Sequence, residues 1–189
     1  MNQVKALALV RTFLDTLTQA EERQTRFACF GSRETPLDVL SFMEQLGRTI
    51  TDFGGFVRSG HARGADQAFE RGADPERLTK CLPWPNYNRE DPPFGGASEV
   101  LFLTSSVEAE AAQHHPAWPR LSRGAKLLHC RNMLIAENAA FGICYLNHAK
   151  PGGGGSGQCW RALTSRGVPV ADLSDTNVFL AFSSFFYKG

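Results

Sequence analysis

The chain has 189 residues, 42% of them hydrophobic and 21% charged, an ordinary balance for a globular protein with enough chain to build a full core. Twenty Lys and Arg against nineteen Asp and Glu give a formal net charge of +1, which argues against a strong non-specific polyanion binder while leaving room for a local basic cleft. Five widely spaced cysteines without a Cys-x-x-Cys pair argue against a disulfide framework or a zinc site. Residues 1–10 are interrupted by Lys5, too short to span a membrane, and without the small-residue run that ends a signal peptide. A single cytoplasmic domain over residues 1–189 is therefore expected, with no membrane contact, no metal and no cofactor.

Val4, Leu7, Val10, Phe13, Leu14 and Leu17 recur at helical spacing and predict an amphipathic helix over residues 3–22. Arg26 to Phe30 reads as a short apolar strand ending in Gly31-Ser32-Arg33. Pro36 opens a second helix to about Asp52, with Leu37, Leu40, Met43, Leu46 and Ile50 expected to face inward. Phe56 to Ser59 is a second strand, which breaks into Gly60-His61-Ala62-Arg63-Gly64-Ala65-Asp66 ahead of a helix from Gln67 to Gly72. Leu78 to Trp84 reads as a third strand. Pro85-Asn86-Tyr87-Asn88 and a polar loop to about Ala97 follow, and that length points to a functional or mobile segment. Val100 to Leu103 suits a strand or a helix; a helix continuing through Val107–Gln113 is the preferred reading. Past His114-His115-Pro116-Ala117-Trp118, a long helix from Leu121 to Asn138 carries Arg131. A strand over Phe141–Leu146, a glycine turn, a helix over residues 157–166, a strand over Val168–Leu173 and a Phe-rich helix over Thr176–Tyr187 complete the chain.

Strands that alternate with helices, and that are apolar throughout, predict an α/β fold: an open parallel sheet with helices on both faces. In such sheets ligands bind beyond the carboxyl ends of the strands, where the strand order reverses. The turns at residues 31–33, 60–66, 85–88 and 152–158 all lie at that end. The last of them, Gly152-Gly153-Gly154-Gly155-Ser156-Gly157-Gln158, joins a strand to a helix. Its backbone can approach a ligand closely and aim N–H groups at a phosphate. The candidate binding residues are accordingly Gly31, Ser32, Arg33, Ser59, Gly60, Arg63, Gly64, Asp66, Trp84, Asn86, Tyr87, Arg131, Asn132 and the run from Gly152 to Gln158.

Simpler readings stand beside several of these. Arg63 can lay its stem along the sheet, Asp66 can cap its helix, and Arg131 can sit in a surface ion pair. Trp84 and Tyr87 suit either stacking on a base or folding onto the core. His114 and His115 are adjacent and have no second cluster to complete a metal site. Phe179, Phe182, Phe185 and Phe186 form a face for either internal packing or pairing with a second copy.

Ser59-Gly60-His61-Ala62-Arg63-Gly64-Ala65-Asp66 resembles the Ser-Gly-x-Ala-x-Gly-x-Asp segment of the DNA-processing protein A (DprA/Smf) family, and Arg131-Asn132-Met133-Leu134-Ile135-Ala136 resembles its Arg-Asn-x-Leu-Ile-Ala helix. Gly31-Ser32-Arg33, Leu82-Pro83-Trp84 and Gly154-Gly155-Ser156-Gly157-Gln158 extend the likeness to small stand-alone DprA-like proteins of bacteriophages, within the wider SLOG superfamily. The resemblance spans about residues 26–173. It implies a Rossmann-like fold of SLOG type, a nucleotide, nucleotide derivative or single-stranded nucleic acid as ligand, and pairing as a homodimer.

Three functions follow from the resemblance. The preferred one is non-catalytic binding of a small nucleotide or nucleotide-derived signal, such as an ADP-ribose derivative or a cyclic nucleotide. Its concrete form is a phage protein that sequesters a host defence signal in the host cytoplasm. The second is DprA-like binding of single-stranded DNA for recombination. The third is cleavage of a nucleotide N-glycosidic bond, as in the LOG phosphoribohydrolases. Gln158 stands near the position of the LOG-type catalytic glutamate, and an amide does not titrate, so no catalytic residue is assigned.

Overall fold

A computed structural model of the chain describes residues 1–90, 95–150, 152 and 154–186. Six parallel strands form one sheet: β1 (Arg26–Gly31), β2 (Phe56–Ser59), β3 (Leu78–Leu82), β4 (Ala97–Val100), β5 (Ala139–Tyr145) and β6 (Val170–Asp172), in the order β4-β3-β2-β1-β5-β6. The chain builds outward from β1 to β4, then returns to lay β5 against the other side of β1. The strand order therefore reverses between β1 and β5, where a crevice opens at the carboxyl ends. This is the Rossmann-like α/β arrangement expected from the sequence.

The central strands β1 and β5 are apolar and buried over most of their length because both faces are covered, whereas edge strand β4 is Ala-Ser-Glu-Val and mostly exposed. On one face, Phe27, Cys29, Val57, Phe141 and Ile143 pack with α1 (Gln3–Thr18), α3 (Leu37–Asp52), α4 (Ala65–Gly72) and α8 (Thr176–Phe186). On the other, Ala28, Phe30, Cys81 and Cys144 meet α5 (Ser105–Gln113), α6 (Arg123–Ala136) and α7 (Gly154–Ser165). The first core is built on aromatic edges. Phe13 lies 5.4 Å from Phe141 and 5.5 Å from Phe182, and Phe42 lies 5.7 Å from Phe179. Of the Phe-rich helix, Phe182 is buried, Phe179 and Phe186 pack on the same core, and Phe185 remains exposed.

Several elements differ from the expectations, each for a local reason. The first helix ends at Thr18, and a separate turn of helix, α2 (Ala20–Arg23), closes on Gln24 in the left-handed conformation. Leu37 is 82% exposed, because it opens the first turn of α3 just past Pro36; Val39 and Phe42 occupy the buried face. Val100 ends an edge strand rather than starting a helix. Leu82 and Val100 are in register, and α5 starts only at Ser105, where the Thr104 side chain accepts a hydrogen bond from Val107 N–H at 3.3 Å. α4 begins at Ala65 with Gly64 as its N-cap, so Asp66 lies inside the first turn and does not cap the helix. α7 begins at Gly154, three residues before the expected start. Residues 91–94 of the long loop, Gly153 of the glycine turn and Tyr187 at the end of the last helix lie outside the described residues.

α3 and α4 approach so closely that a Cβ on Gly47 would stand 2.3 Å from the Phe69 carbonyl oxygen, a backbone atom with no room to retreat. Gly47→Ala is expected to lower stability by about 1–3 kcal/mol through overpacking. Gly124→Ala, on α6 with no neighbour within 4 Å, should be neutral or slightly stabilising. Urea denaturation of the two variants checks the contrast.

Candidate functional site

The crevice at the switch point is a cavity of about 380 Å3, in the size range of small-molecule sites. Three segments wall it. The turn after β1 contributes Gly31, Ser32, Arg33 and Glu34; the loop after β5 and the start of α7 contribute Asn147, Lys150, Gly154, Gly155 and Ser156; one face of α6 contributes Ala125, Leu128, His129, Arg131, Asn132 and Ile135. Phe30, Ala62 and Asp66 close it from behind.

Asp66 ties two of these segments, the turn after β1 and α6, to the turn after β2. Its Oδ1 accepts the Gly31 N–H at 3.0 Å, and its Oδ2 accepts the Ala62 N–H at 3.4 Å and faces Arg131 Nη1 at 3.4 Å. Burial pushes the Asp66 carboxyl above its ordinary range; the Arg131 charge and the two backbone N–H groups pull it back, while Glu70 adds to the rise. Gly60 makes this pairing possible: a Cβ there would lie 1.0 Å from Arg131 Nη1 and 2.7 Å from Asp66 Oδ2. The guanidinium thus occupies the volume of a missing side chain, and Tyr87 lies beneath it with its ring centre 5.9 Å from Arg131 Cζ.

Arg131 is buried, and its Nε has no hydrogen-bond partner among the described residues. A guanidinium carries five donors, and the hydrogen bond from Nη1 to Asp66 spends only one of them on a residue that, like Arg131, lines the cavity. Beside it the first turn of α7 leaves backbone N–H groups without intrahelical partners, the arrangement that accepts phosphate oxygens. Gly157 keeps the approach tight, since a Cβ there would stand 1.8 Å from the Gly152 carbonyl oxygen. Arg161 holds that turn from outside, donating from Nη1 to Gly152 O at 2.7 Å and from Nε to His114 O at 2.8 Å. Gly155 faces open space.

Across the mouth, Glu34 accepts from Asn147 Nδ2 at 2.6 Å and from Lys150 Nζ at 2.8 Å, and these partners hold its carboxyl below the ordinary range. Gln158 is fully buried behind the α6 wall and does not line the cavity. It receives Asn132 Nδ2 at 2.9 Å on Oε1, donates from Nε2 to Ala111 O at 2.9 Å, and stands 3.3 Å from His129 Nδ1.

Of the candidate residues, Gly31, Ser32, Arg33, Asp66, Arg131, Asn132, Gly154, Gly155 and Ser156 meet on this cavity. Ser59 and Gly60 are buried behind it, Gly60 leaving the room that Arg131 fills, and Gly64, in the left-handed region, lets the β2 turn pack on Ser32 and Arg33. Tyr87 is buried, edge-on to Trp84 at 5.2 Å, and neither aromatic reaches the cavity wall. Arg63 and Asn86 are exposed and away from it, and Gly152, Gly157 and Gln158 act through their neighbours. Reasoning from sequence missed His129, Asn147, Lys150 and the lining role of Glu34. His129 was within reach, standing three residues before Asn132 on the same helical face. Asn147 and Lys150 follow β5 directly at the strand-order reversal.

His129 has a testable titration. Burial, followed by the neighbouring His115 ring, lowers its pKa from an ordinary 6.5 to about 4, with the Gln158 hydrogen bond opposing. In the window from 6.5 down to 4 the unfolded chain binds the proton and the folded one does not. Stability from this group is therefore present above 6.5 and is lost as pH falls toward 4. An NMR titration of the imidazole should give a midpoint near 4, and His129→Phe should flatten the slope of stability against pH across that window.

No protein-family model matches the chain, and no curated protein matches it. Among solved structures it is similar to DNA processing protein A from Helicobacter pylori, a structure described for its single-stranded DNA binding mode, with a TM-score of 0.57 and 16% identity. The match covers 82% of this chain and 66% of that one, so the chain spans about two thirds of that protein's length. At this identity the likeness speaks for the architecture: the chain has a DprA-like, Rossmann-like α/β fold.

Proposed function

We propose that the crevice binds a small nucleotide or nucleotide-derived signal without turning it over. The observation that carries this reading is the buried Arg131 guanidinium, which lines a 380 Å3 cavity beside the glycine-rich start of α7 and whose Nε has no hydrogen-bond partner among the described residues. Phosphate suits both partners: the arginine fork takes its oxygens bidentately, and the helix N-terminus takes the rest of the charge. Ala125, Leu128 and Ile135 offer an apolar wall for a base. An ADP-ribose derivative or a cyclic nucleotide fits this mixture, and a homodimeric phage protein that sequesters such a host defence signal in the cytoplasm is its concrete biological form. The likeness to DprA favours a second reading, single-stranded DNA lying along the same crevice with phosphates at Arg131 and α7.

Thermal denaturation against nucleotides, ADP-ribose derivatives, cyclic dinucleotides and single-stranded oligonucleotides separates the two. A ligand at 100 times its Kd adds about 2.7 kcal/mol and raises the midpoint by roughly 5–10 °C. The expected result is a shift with a small nucleotide that mass spectrometry then recovers intact. A shift with oligonucleotide alone, fading with salt, would move the assignment to DNA binding. Gly155→Glu places a carboxylate at the open first turn of α7, where it suits the helix but repels phosphate. The variant should fold normally and lose the shift; an undiminished shift would remove the cavity as the site.

A further inference from the structure

The hydrogen bonds behind the α6 wall fix which atoms that wall presents. Gln158 Nε2 donates to the Ala111 carbonyl at 2.9 Å, and a carbonyl can only accept, so Gln158 Oε1 must be the atom turned toward α6. That oxygen also only accepts. It takes one Asn132 Nδ2 hydrogen at 2.9 Å, the other going to Gly155 O at 3.1 Å, and it stands 3.3 Å from His129 Nδ1. Nδ1 is therefore the protonated nitrogen of His129, and Nε2 is left with its lone pair. The Asn132 amide is likewise spent on the donor side, leaving Oδ1 as its acceptor. Both side chains line the cavity, three residues apart on one helical face, and neither acceptor receives a hydrogen bond among the described residues.

We infer that His129 is a specificity-determining residue whose Nε2, beside Asn132 Oδ1, accepts a hydrogen bond from a donor on the ligand: a ribose hydroxyl or an amine on the base edge. This rests on the nucleotide reading of the crevice and divides the cavity into two parts, anion-accepting at Arg131 and α7, donor-accepting at His129 and Asn132. The depressed basicity of His129 keeps the acceptor lone pair free at neutral pH. An imidazole with the opposite tautomer would instead select ligand acceptors, so the buried Gln158 amide sets the sign of the recognition. A ligand ribose differs from a deoxyribose by one such donor, which makes this wall a means of telling ribonucleotides from DNA.

Two measurements test it. Long-range 1H–15N correlation of the full chain at neutral pH should show His129 with Nδ1 protonated and Nε2 bare; the Nε2–H tautomer would overturn the proposal. Calorimetric titration should then compare adenosine 5′-monophosphate with its 2′-deoxy analogue and with purine riboside 5′-monophosphate, which lacks the exocyclic amine. Loss of one hydrogen bond predicts about tenfold weaker binding for one analogue. Loss with the 2′-deoxy compound assigns the hydroxyl, and loss with purine riboside assigns the amine. In His129→Phe the discrimination should fall toward unity. Equal binding of all three to the wild type, or discrimination undiminished in His129→Phe, would overturn the proposal. Failure of every nucleotide to bind would count against the nucleotide reading itself, while the tautomer measurement, which needs no ligand and no variant, still decides the acceptor wall.

Discussion

One carboxylate holds the crevice together. Asp66 sits in the first turn of α4 yet bonds the Gly31 amide after β1, the Ala62 amide after β2 and the Arg131 guanidinium on α6. Three segments far apart in sequence are thereby fixed to one another beneath the cavity floor. A buried charge survives only when it is paired and hydrogen-bonded, and removing either partner leaves the other uncompensated. The arrangement is also sterically exclusive. The guanidinium fills the space that any side chain at position 60 would need, so the glycine and the arginine require each other.

The architecture was legible because most strands are short, apolar runs set between amphipathic helices, a pattern with few solutions besides a parallel sheet covered on both sides; the polar edge strand β4, which follows β3 with no helix between, was not. The turns were legible for the same reason: once the strands were placed, Gly31-Ser32-Arg33 and the glycines after β5 had to lie at the carboxyl edge. What one sequence does not carry is the direction of a side chain at a loop or a helix end. Leu37 matched the apolar period of its helix but falls at its first turn, beyond the sheet. Trp84 and Tyr87 had the chemistry to stack on a base, yet Tyr87 is drawn under Arg131. Gln158 stood in the motif but packs behind Asn132 instead of facing the cavity. For Tyr87 and Gln158 a tertiary partner, not the local pattern, decided the orientation.

The cavity is polar in an ordered way. Its cationic and N–H-bearing side lies at Arg33, Arg131, Lys150 and the start of α7, while Glu34 occupies Lys150 and Asn147 at the mouth. Apart from Phe30 and Ala62, the apolar lining residues come from α6, which sets Ala125 and Leu128 beside the polar His129 and Asn132. A single helix thus supplies both the buried arginine and most of the apolar wall of the cavity. The spacing between those parts is the rise of an α-helix, a rigid ruler rather than a flexible loop.

The buried amide of Gln158 also bears on how this site could acquire new chemistry. A glutamate at that position would bring a carboxyl against the Ala111 carbonyl of α5, two acceptors facing each other without water between them. Such a carboxyl would hold its proton and donate to Ala111, becoming a structural prop, not an acid poised for transfer. Reaching a titrating group there by one substitution is therefore blocked by α5, a helix on the far side of the wall. Only an accompanying shift of that helix would open the route, so what position 158 can become is governed from outside the crevice.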